Sequence, residues 1–274
     1  MKKLPVTAIV LTYNEEINIE EGLVSISDWI EEIIVVDSQS TDRTLEIARR
    51  YTDKIFQHPF KNNADQLNWA LDNLPIAGEW VFRHNADQRI TPELYEELAR
   101  VLPAVPITVT GFYTKWRIHF LGRWIKHGGF YPNSFLWIWR KGKARSEQKE
   151  MDEHIVLLEG TAGYLESDII DDDKKSVEWW VEKHNRYSSR EVLSHLAGVA
   201  DGKQAVDASI AGNFVERKRW LKENVYYRAP LFMRAFAYFV YRYVFQLGFL
   251  DGPEGLVFHV LQGFWYRFLV DAKL

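Results

Sequence analysis

The sequence predicts an α/β protein built on an open, mostly parallel sheet with helices on both faces, followed by an aromatic-rich helical C-terminal extension. Two short apolar runs, residues 6–11 and 33–36, each stop at a polar cluster, and a third strand-like run ends at residues 84–88. Helix-like segments alternate with these runs, which is typical of βαβ units. Beyond Ser176 apolar residues recur at helical spacing, and aromatic residues crowd residues 225–274.

The elements of the first half can be placed in order. We expect helices over residues 15–27, 41–51, 64–74 and 91–102, and further strands over residues 54–57, 79–83, 108–113 and 135–140. Thr91 followed by Pro92 is a strong signal for the start of the last of these helices. Because strands and helices alternate, the sheet is predicted to be parallel, with right-handed crossovers and both faces covered.

Composition limits the function classes. A chain of 274 residues with 47% hydrophobic content can bury a large core, and we expect an α/β domain over residues 1–200 and the helical extension over residues 201–274. The net charge of −4 argues against nucleic-acid binding. The absence of cysteine excludes disulfides and thiolate metal sites. We see no export signal after Met1, so a cytoplasmic location is expected.

The three polar clusters predict one ligand crevice. They lie at residues 12–16, 37–42 and 85–88, each directly after a strand. In an open parallel sheet, ligands bind at the carboxyl ends of the strands. The clusters offer carboxylates, which suit ribose hydroxyls, base N–H groups and a divalent cation. No G-x-G-x-x-G follows the first strand, which disfavours a Rossmann oxidoreductase.

Four segments occur in an order that is similar to a known family. They are residues 11–16, 35–44, 85–89 and 122–129. Together they resemble the family 2 inverting glycosyltransferases, in particular the branch that builds lipopolysaccharide core and other surface polysaccharides. The resemblance covers about the first 200 residues. It implies a GT-A fold, a nucleotide-diphosphate sugar donor (usually a UDP-sugar) and a metal-dependent, inverting transfer to a lipid-linked or lipopolysaccharide-type saccharide.

The resemblance also implies roles for individual residues. The turn from Thr12 to Glu15 would line the nucleoside pocket, Asp37 would accept a hydrogen bond from the base, and Asp87 would bind Mg²⁺ or Mn²⁺. The donor-binding residues implied by position are Thr12, Tyr13, Asn14, Glu15, Asp37, Ser38, Gln66, Asn68, Asn85 and Arg140. Arg140 or Lys141 would assist the metal in stabilising the leaving diphosphate. Residues 1–200 would then form the nucleotide-sugar-binding and catalytic domain.

This sequence departs from the family pattern at the metal motif. The usual Asp-Ala-Asp-Glu is replaced by Asn85-Ala86-Asp87-Gln88, so two acidic groups are missing. An Asn amide can still bond the ribose hydroxyls. We therefore expect weaker metal affinity, and an alternative hypothesis is a catalytically weakened GT-A-like scaffold that binds nucleotide within a polysaccharide assembly.

The catalytic base is expected in residues 150–154. Inverting transfer needs one carboxylate near the acceptor hydroxyl, whereas retaining glycosidases use two. Both Glu153 and Asp152 match the place where the resembling family keeps its base. Position favours Glu153, and a slip of one residue would select Asp152.

Several other polar residues have a structural interpretation. His84, inside a strand, is expected to be packed in the core, and Asp42 or Thr41 is expected to cap the following helix. The acidic run 171–173 followed by Lys174 and Lys175 is interpreted as a solvated turn.

The C-terminal extension suggests contact with a membrane surface. No window in residues 225–274 reaches the roughly 18 uncharged apolar residues of a spanning helix, because Arg234 and Arg242 interrupt it. We expect helices in the headgroup region with guanidinium groups towards phosphates, on the inner face of the cytoplasmic membrane. The alternative is an aromatic face packed against the catalytic domain or a partner subunit, so the sequence leaves homo-oligomer formation open.

Overall fold

The protein forms two compact units. The computed structural model describes residues 3–148, 153–198 and 220–274. The first unit comprises Met1–Trp124 and Phe130–Lys175, and the second comprises Ile125–Gly129 and Ser176–Leu274. Residues 200 and 201, where the sequence predicts the domain boundary, lie outside the described residues.

The first unit contains a large sheet and four helices. Its strands are β1 Leu4–Thr12, β2 Ile30–Asp37, β3 Ile55–Gln57, β4 Trp80–Asn85, β5 Gln88–Ile90, β6 Val109–Phe120, β7 Arg123–Trp124, β8 Ser134–Arg140, β9 Ala144–Ser146, β10 Ile155–Leu157 and β11 Thr161–Asp172. Its helices are α1 Ile19–Ser27, α2 Thr44–Ala48, α3 Asn63–Asn73 and α4 Pro92–Val101. The predicted α/β class is confirmed.

The sheet has the order β3-β2-β1-β4-β8-β6-β11-β5, with β7 paired to β6. The strands β3, β2, β1 and β4 are parallel, as the alternation of strands and helices predicts. Strand β8 enters antiparallel between β4 and β6, and β6 is parallel to β11. Strands β9 and β10 form a separate antiparallel pair.

Helices cover both faces of the sheet. Strand β1 is buried almost throughout, as expected for a strand in the centre of such a sheet. Alternate residues point to opposite faces: Val10 packs in a cluster with α1, α2 and α4, and Ile9 packs in a cluster with α3. These two clusters form the core of the unit and hold the carboxyl ends of β1, β2 and β4 at one edge.

Two helices are shorter than the sequence predicts. Helix α1 begins at Ile19 and α2 at Thr44, whereas starts at residues 15 and 41 were expected. The intervening backbone N–H groups are used elsewhere: Glu15 N–H donates to Thr44 Oγ1 at 2.7 Å, and Thr41 N–H donates to Asn14 Oδ1 at 2.8 Å. Tertiary bonds between the two turns therefore replace the first helical turns.

Three local predictions can be judged directly. Thr91 caps α4 by accepting a hydrogen bond from Leu94 N–H, and Asp42 accepts one from Thr44 N–H at the start of α2. His84 is fully buried, as predicted. The interpretation of residues 171–175 as a solvated turn is wrong, because β11 extends to Asp172 and the Lys175 side chain is only 7% exposed.

The second unit is helical and rich in aromatic contacts. It contains α5 Val177–Gly198, α6 Met233–Val240, α7 Gly252–Phe258 and α8 Tyr266–Lys273, with π-helical segments Lys222–Tyr226, Tyr241–Phe245 and His259–Trp265 and a 3₁₀ segment Gly248–Asp251. The predicted helical C-terminal region is confirmed. Among the described helices, none combines the length and the apolarity that crossing a membrane requires.

Two arginines near the C-terminal end of this unit lie inside it. Arg234 Nε donates to Asp271 Oδ1 at 2.7 Å, and both side chains are buried. Arg242 Nε donates to the carbonyl of Gly128 at 2.5 Å. Gly128 has φ +68°, and a Cβ there would lie 2.0 Å from the His259 ring, so the close approach requires glycine. The expectation that Arg234 and Arg242 point towards lipid phosphates is wrong.

Candidate active site

Thr12 and Asp37 lie side by side at the carboxyl ends of β1 and β2. They are partners in the strand register, and Thr12 Oγ1 donates to Asp37 Oδ1 at 2.9 Å. Ser40 donates to the same carboxylate through its backbone N–H at 2.8 Å and its hydroxyl at 2.5 Å. Asp37 is fully buried. Its carboxylate therefore fixes the β2 turn against the end of β1.

The two turns also bind each other directly. Asn14, which has φ 51°, donates its backbone N–H to Ser40 Oγ at 2.8 Å. The left-handed backbone at Asn14 is a conformation that asparagine tolerates better than most residues. The neighbouring Tyr13 side chain is 56% exposed at this edge. The turn thus combines a rigid hydrogen-bonded base with an exposed aromatic ring.

The carboxyl end of β4 lies next to the end of β1. Asn85 is the register partner of Leu11, so the turn that follows β4 begins beside Thr12. Asn85 N–H donates to the side-chain carbonyl of Gln88 at 3.1 Å, and Gln88 is buried. Where the family pattern has an acid, Gln88 closes the turn. The carbonyl of Asp87 accepts a hydrogen bond from Asp172 N–H at 3.0 Å, which ties this turn to β11.

Glu15 and Asp87 form a negatively charged pair at this edge. Burial raises the pKa of Glu15, and the like charge of Asp87 raises it further. The ammonium of Lys175, 2.6 Å from Glu15 Oε1, acts in the opposite direction. Asn18 Nδ2 donates to the other carboxylate oxygen at 2.8 Å. The pKa stays raised on balance, so Lys175 only partly offsets the burial and the negative charge.

Glu153 lies next to Arg83 of β4. Its Oε1 is 3.5 Å from Arg83 Nη1, and both side chains are mostly buried. Arg83 and Asn85 are two residues apart on one strand, so their side chains point to the same face of the sheet. Asp152, the alternative base, lies outside the described residues.

Gln66 and Ser38 lie together at the end of β2. Gln66 Nε2 donates to Ser38 Oγ at 2.6 Å and to the carbonyl of His58 at 3.1 Å. Asn68 faces a different neighbour: its amide exchanges two hydrogen bonds with the backbone of Ser146, at 2.9 and 3.0 Å. The structure therefore brings Gln66 to the crevice, whereas the Asn68 side chain anchors β9.

Arg140 is not brought to this edge. It is the register partner of Trp80, at the beginning of β4, because β8 runs antiparallel to β4. Its guanidinium pairs with Glu79 and lies 4.4 Å from the centre of the Trp80 ring. The placement of Arg140 beside the donor diphosphate is therefore corrected: this residue lies at the opposite end of the strand.

Sequence reasoning missed two residues that organise the crevice. Arg83 is a charged residue that directly follows the apolar residues 80–82 of β4, and a charge inside a strand is a signal for a site. Lys175 follows an acidic run and was assigned to solvent, although its ammonium binds Glu15. Nothing local to residues 171–175 reveals that partner, because the two residues are far apart in the chain.

A metal site in this crevice would depend on few protein ligands. In residues 3–148, 153–198 and 220–274, no group of three or more His, Cys, Asp or Glu is arranged to hold a metal ion. Divalent cations that act on phosphates commonly take one or two protein carboxylates, and phosphate oxygens and water complete the shell. Asp87, with the amide of Asn85 nearby in the turn, is the candidate donor set.

Comparison with known proteins identifies the family. Residues 7–171 match the model of glycosyl transferase family 2, which is more than half of the chain. The chain belongs to glycosyl transferase family 2. The predicted family is thereby confirmed.

The chain is similar in sequence to other proteins named as glycosyltransferases. It is 27% identical over 166 residues to the lipopolysaccharide core biosynthesis glycosyltransferase LpsC of Rhizobium meliloti, covering 59% of this chain and 60% of LpsC. It is 31% identical over 93 residues to an uncharacterized glycosyltransferase of Rickettsia felis, covering 34% of this chain and 32% of the relative. The matches thus span less than two thirds of these relatives.

Solved structures show the same fold. The crystal structure of S. aureus TarS 1–349 matches with a TM-score of 0.51 and 18% identity, covering 100% of this chain and 91% of TarS. TarS in complex with UDP-GlcNAc matches with a TM-score of 0.50 and 17% identity. At this identity the likeness concerns the fold alone, and it confirms the predicted GT-A class.

Proposed function

We propose that this family 2 glycosyltransferase transfers a sugar from a nucleotide-diphosphate donor, a UDP-sugar, to a saccharide hydroxyl with inversion at the anomeric carbon. The observation that carries the proposal is the meeting of Thr12, Asp37, Asn85 and the Glu15–Asp87 pair at the carboxyl edge of β1, β2 and β4. Ligands of open α/β sheets bind at this edge.

We assign the nucleoside to the crevice between the β1 and β2 turns. The exposed Tyr13 ring offers a flat surface for the base. A carboxylate has about four acceptor positions, and at Asp37 the weakest is held by Gln57 Nε2 at a distance of 3.4 Å. A base N–H is expected to replace that contact. The amide of Asn85 is assigned to the ribose hydroxyls. A bound UDP-sugar in TarS supports a donor of this class.

The crevice suits a divalent cation, which we assign to Asp87. Two carboxylates lie close enough there for Asp87 to raise the pKa of Glu15, so added positive charge would lower the electrostatic free energy. Bound Mg²⁺ or Mn²⁺ would neutralise charge developing on the departing diphosphate. The protein's own contribution is to hold Asp87 in a turn fixed by Gln88 and by β11.

Glu153 is proposed as the general base. Its carboxylate would take the proton from the acceptor hydroxyl as the hydroxyl oxygen bonds to the anomeric carbon. At the same time the bond from that carbon to the diphosphate breaks, and its electron pair leaves with the nucleotide. The guanidinium of Arg83 stabilises the charge of Glu153 and orients it beside β4. Asp152 remains the alternative base.

We place the acceptor among lipid-linked or lipopolysaccharide-type saccharides, used at the inner face of the cytoplasmic membrane. The support is the likeness to LpsC together with the large exposed apolar side chains of the second unit. The donor does not have to enter the bilayer, so donor binding and membrane contact can be measured separately.

A thermal-shift screen tests the proposal. The protein is heated with UDP- and ADP-sugars, with and without Mn²⁺, and the donor that stabilises it is then supplied with acceptor. We expect stabilisation by one UDP-sugar that depends on Mn²⁺, and a product whose anomeric configuration, read by NMR, is opposite to that of the donor. Retention of configuration would contradict the proposal.

A second candidate is a nucleotide-binding scaffold with weakened catalysis. The observation in its favour is that Asn85 and Gln88 occupy acidic positions of the family pattern and that Gln88 is used to close the turn. Nucleotide binding without hydrolysis or transfer of any donor in the same screen would select this alternative.

A further inference from the structure

The part of the second unit from residue 230 to residue 272 has charged residues inside and apolar residues outside. Within residues 230–272, all of which the structure describes, no exposed residue carries a charge. Gln246 has the only exposed side-chain amide in that range. Soluble proteins show the opposite distribution, with charges at the surface and buried charges rare. The pattern therefore indicates an apolar environment around this part of the unit.

Charged side chains in this range have polar or charged partners inside the unit. Arg267 Nη1 donates to Glu191 Oε1 at 2.8 Å, and Tyr266 Oη donates to the other oxygen of Glu191 at 2.7 Å. Asp251 accepts from the backbone N–H and from the Nδ1 of His127, at 2.9 and 2.6 Å. The contacts of Glu191 join α5 to α8.

A set of exposed apolar residues in this part of the unit is called here the apolar face. Met233, Phe236 and Tyr241 are exposed at helical spacing along α6 and the following π-helical segment. Phe264 and Phe268 run beside them, with ring centres 6.4 Å from Phe236 to Phe264 and 5.7 Å from Phe264 to Phe268. The apolar face comprises Phe232, Met233, Phe236, Phe245, Val260 and Phe268, all of them exposed.

The backbone conformation at two exposed apolar residues also indicates that their exposure has a function. Phe232 and Leu247 adopt left-handed backbone, with φ 65° and 60°, and both side chains are exposed. For bulky residues this conformation is unfavourable, and such residues cluster where function requires them. Both turns therefore expose a large apolar side chain in an unfavourable backbone conformation. Contact of that side chain with water does not compensate for the conformational free energy.

We infer that the second unit inserts the apolar face into the outer hydrocarbon layer of an anionic bilayer, without crossing it. A protein partner would require polar contacts at the rim of the interface, and the exposed residues from 230 to 272 offer almost none, whereas acyl chains require none. The α6 helix and its π-helical continuation cover 13 residues, about 20 Å, which is short of the roughly 30 Å hydrocarbon thickness.

The sequence that precedes the apolar face indicates the charge of the lipid headgroups. Arg217, Lys218, Arg219, Lys222 and Arg228 precede the apolar face in the chain, against one acidic residue, Glu223, in the same stretch. Basic clusters next to a membrane-inserting segment attract anionic lipids. The inference deepens the proposed location of the enzyme, and it concerns lipid contact whatever sugar is transferred.

The chain contains no cysteine, so single labels test the inference in the full-length protein. Phe245→Cys carries an environment-sensitive NBD label at a position that is 71% exposed, and Ile107→Cys of the first unit, 77% exposed, is the matched control. Vesicles contain phosphatidylcholine with or without phosphatidylglycerol, and spin-labelled acyl chains serve as quenchers. We expect a blue shift and quenching at residue 245 with anionic vesicles, weakened by salt, and neither at residue 107.

Introducing a charged side chain into the apolar face tests the inference through the vesicle partition coefficient. Phe236→Asp is expected to lower the vesicle partition coefficient about tenfold or more, while Ile107→Asp leaves it unchanged. Circular dichroism checks that both variants fold. Glu153→Gln is expected to partition like the parent protein, so a failure of the proposed transfer chemistry would leave this result intact.

Three outcomes would overturn the inference. A blue shift at residue 245 that needs no lipid and grows with protein concentration would assign the apolar face to a second copy of the chain. A label that is already shielded at low concentration without lipid would assign it to another segment of the same chain. No response to vesicles of either composition would exclude membrane insertion.

Discussion

At the scale of single residues, Asp87 contributes a negative charge to the crevice. It lies in a short turn after β4, fixed by the hydrogen bond from Asn85 N–H to Gln88 and by the one from Asp172 N–H to its own carbonyl. Its carboxylate contributes to the raised pKa of Glu15. The two residues therefore share a local excess of negative charge that a cation would relieve.

Asp87→Asn is expected to lower transfer about 100-fold, equivalent to ~2.7 kcal/mol, and to remove the Mn²⁺ dependence of donor binding, because the proposed metal ligand loses its charge. Initial rates and thermal shifts with donor measure both effects. Asp28→Asn, an exposed acid at the end of α1, is the control. Unchanged Mn²⁺ dependence in Asp87→Asn would place the metal elsewhere.

Glu153→Gln is expected to reduce kcat by a factor of about 10² to 10⁴ while the donor Kd stays near that of the parent, since a general base acts on the acceptor hydroxyl. Rates and calorimetric donor titration separate the two quantities. Glu159→Gln, which changes an exposed carboxylate in the same part of the chain, is the control and is expected to keep the parental kcat. If Glu153→Gln keeps the parental rate, the base is Asp152, and Asp152→Asn then shows the loss.

At the scale of secondary structure elements, the turns after β1 and β2 are joined to each other by hydrogen bonds. Backbone N–H groups of Glu15 and Thr41 bind side chains of the opposite turn instead of starting helices. The same bonds hold Tyr13 at the edge of the crevice. Helix α1 then approaches the third turn closely, because Gly22 lies against the carbonyl of Ala86.

Gly22→Ala is expected to displace the turn that carries Asp87. A Cβ at Gly22 would lie 2.7 Å from the carbonyl oxygen of Ala86, so backbone has to move. We expect a loss of about 1–3 kcal/mol in stability from the overpacking and a larger loss of transfer than stability explains, measured by urea unfolding and initial rates.

Val24→Ala, at an exposed position of the same helix, controls for changes in α1 that do not touch this turn. Parental rates in Gly22→Ala would show that the turn tolerates the shift and that Asp87 does not need its present position.

His84 makes stability depend on pH at the scale of the whole molecule. It is fully buried in β4, edge-on to Phe82, and burial lowers the pKa of His84 to about 4. The unfolded histidine has a pKa of about 6.5, so between these values the unfolded chain binds a proton that the folded chain does not. The contribution of neutral His84 to the free energy of unfolding is complete above pH 6.5 and is lost as the pH falls towards 4.

The loss attributable to His84 is expected to be ~3 kcal/mol over that window, with a slope near 1.4 kcal/mol per pH unit. Urea unfolding at intervals between pH 7 and pH 4 measures it. His84→Leu should flatten this dependence, whereas His58→Leu, at a half-buried site, should leave it in place. An unaltered slope in His84→Leu would assign the acid sensitivity to other groups.

Much of the fold could be predicted from the sequence because its signals are local. Apolar runs of strand length, helical periodicity, the cap at Thr91 and polar residues at strand ends each depend on neighbours in the chain. They place Thr12, Asp37 and Asn85 at one edge of a sheet, and the structure brings these three together.

The remaining features of the site depend on partners that are distant in the chain. The direction of β8 decides that Arg140 lies at the start of β4, away from the crevice, and no periodicity distinguishes a parallel from an antiparallel strand. The ion pairs of Lys175 with Glu15 and of Arg83 with Glu153 join residues from separate segments.

The sequence by itself determined the class of protein, the strand ends that carry the ligand-binding groups, and the aromatic character of the C-terminal region. Only the tertiary structure decided which charges pair and which helical turns are replaced by bonds between loops. It also decided that Arg234 and Arg267 are paired inside the second unit while Phe236 and Phe245 are exposed. The physical reason is that burial and pairing are properties of a side chain's surroundings in space, which hydrophobic periodicity along the chain specifies only in part.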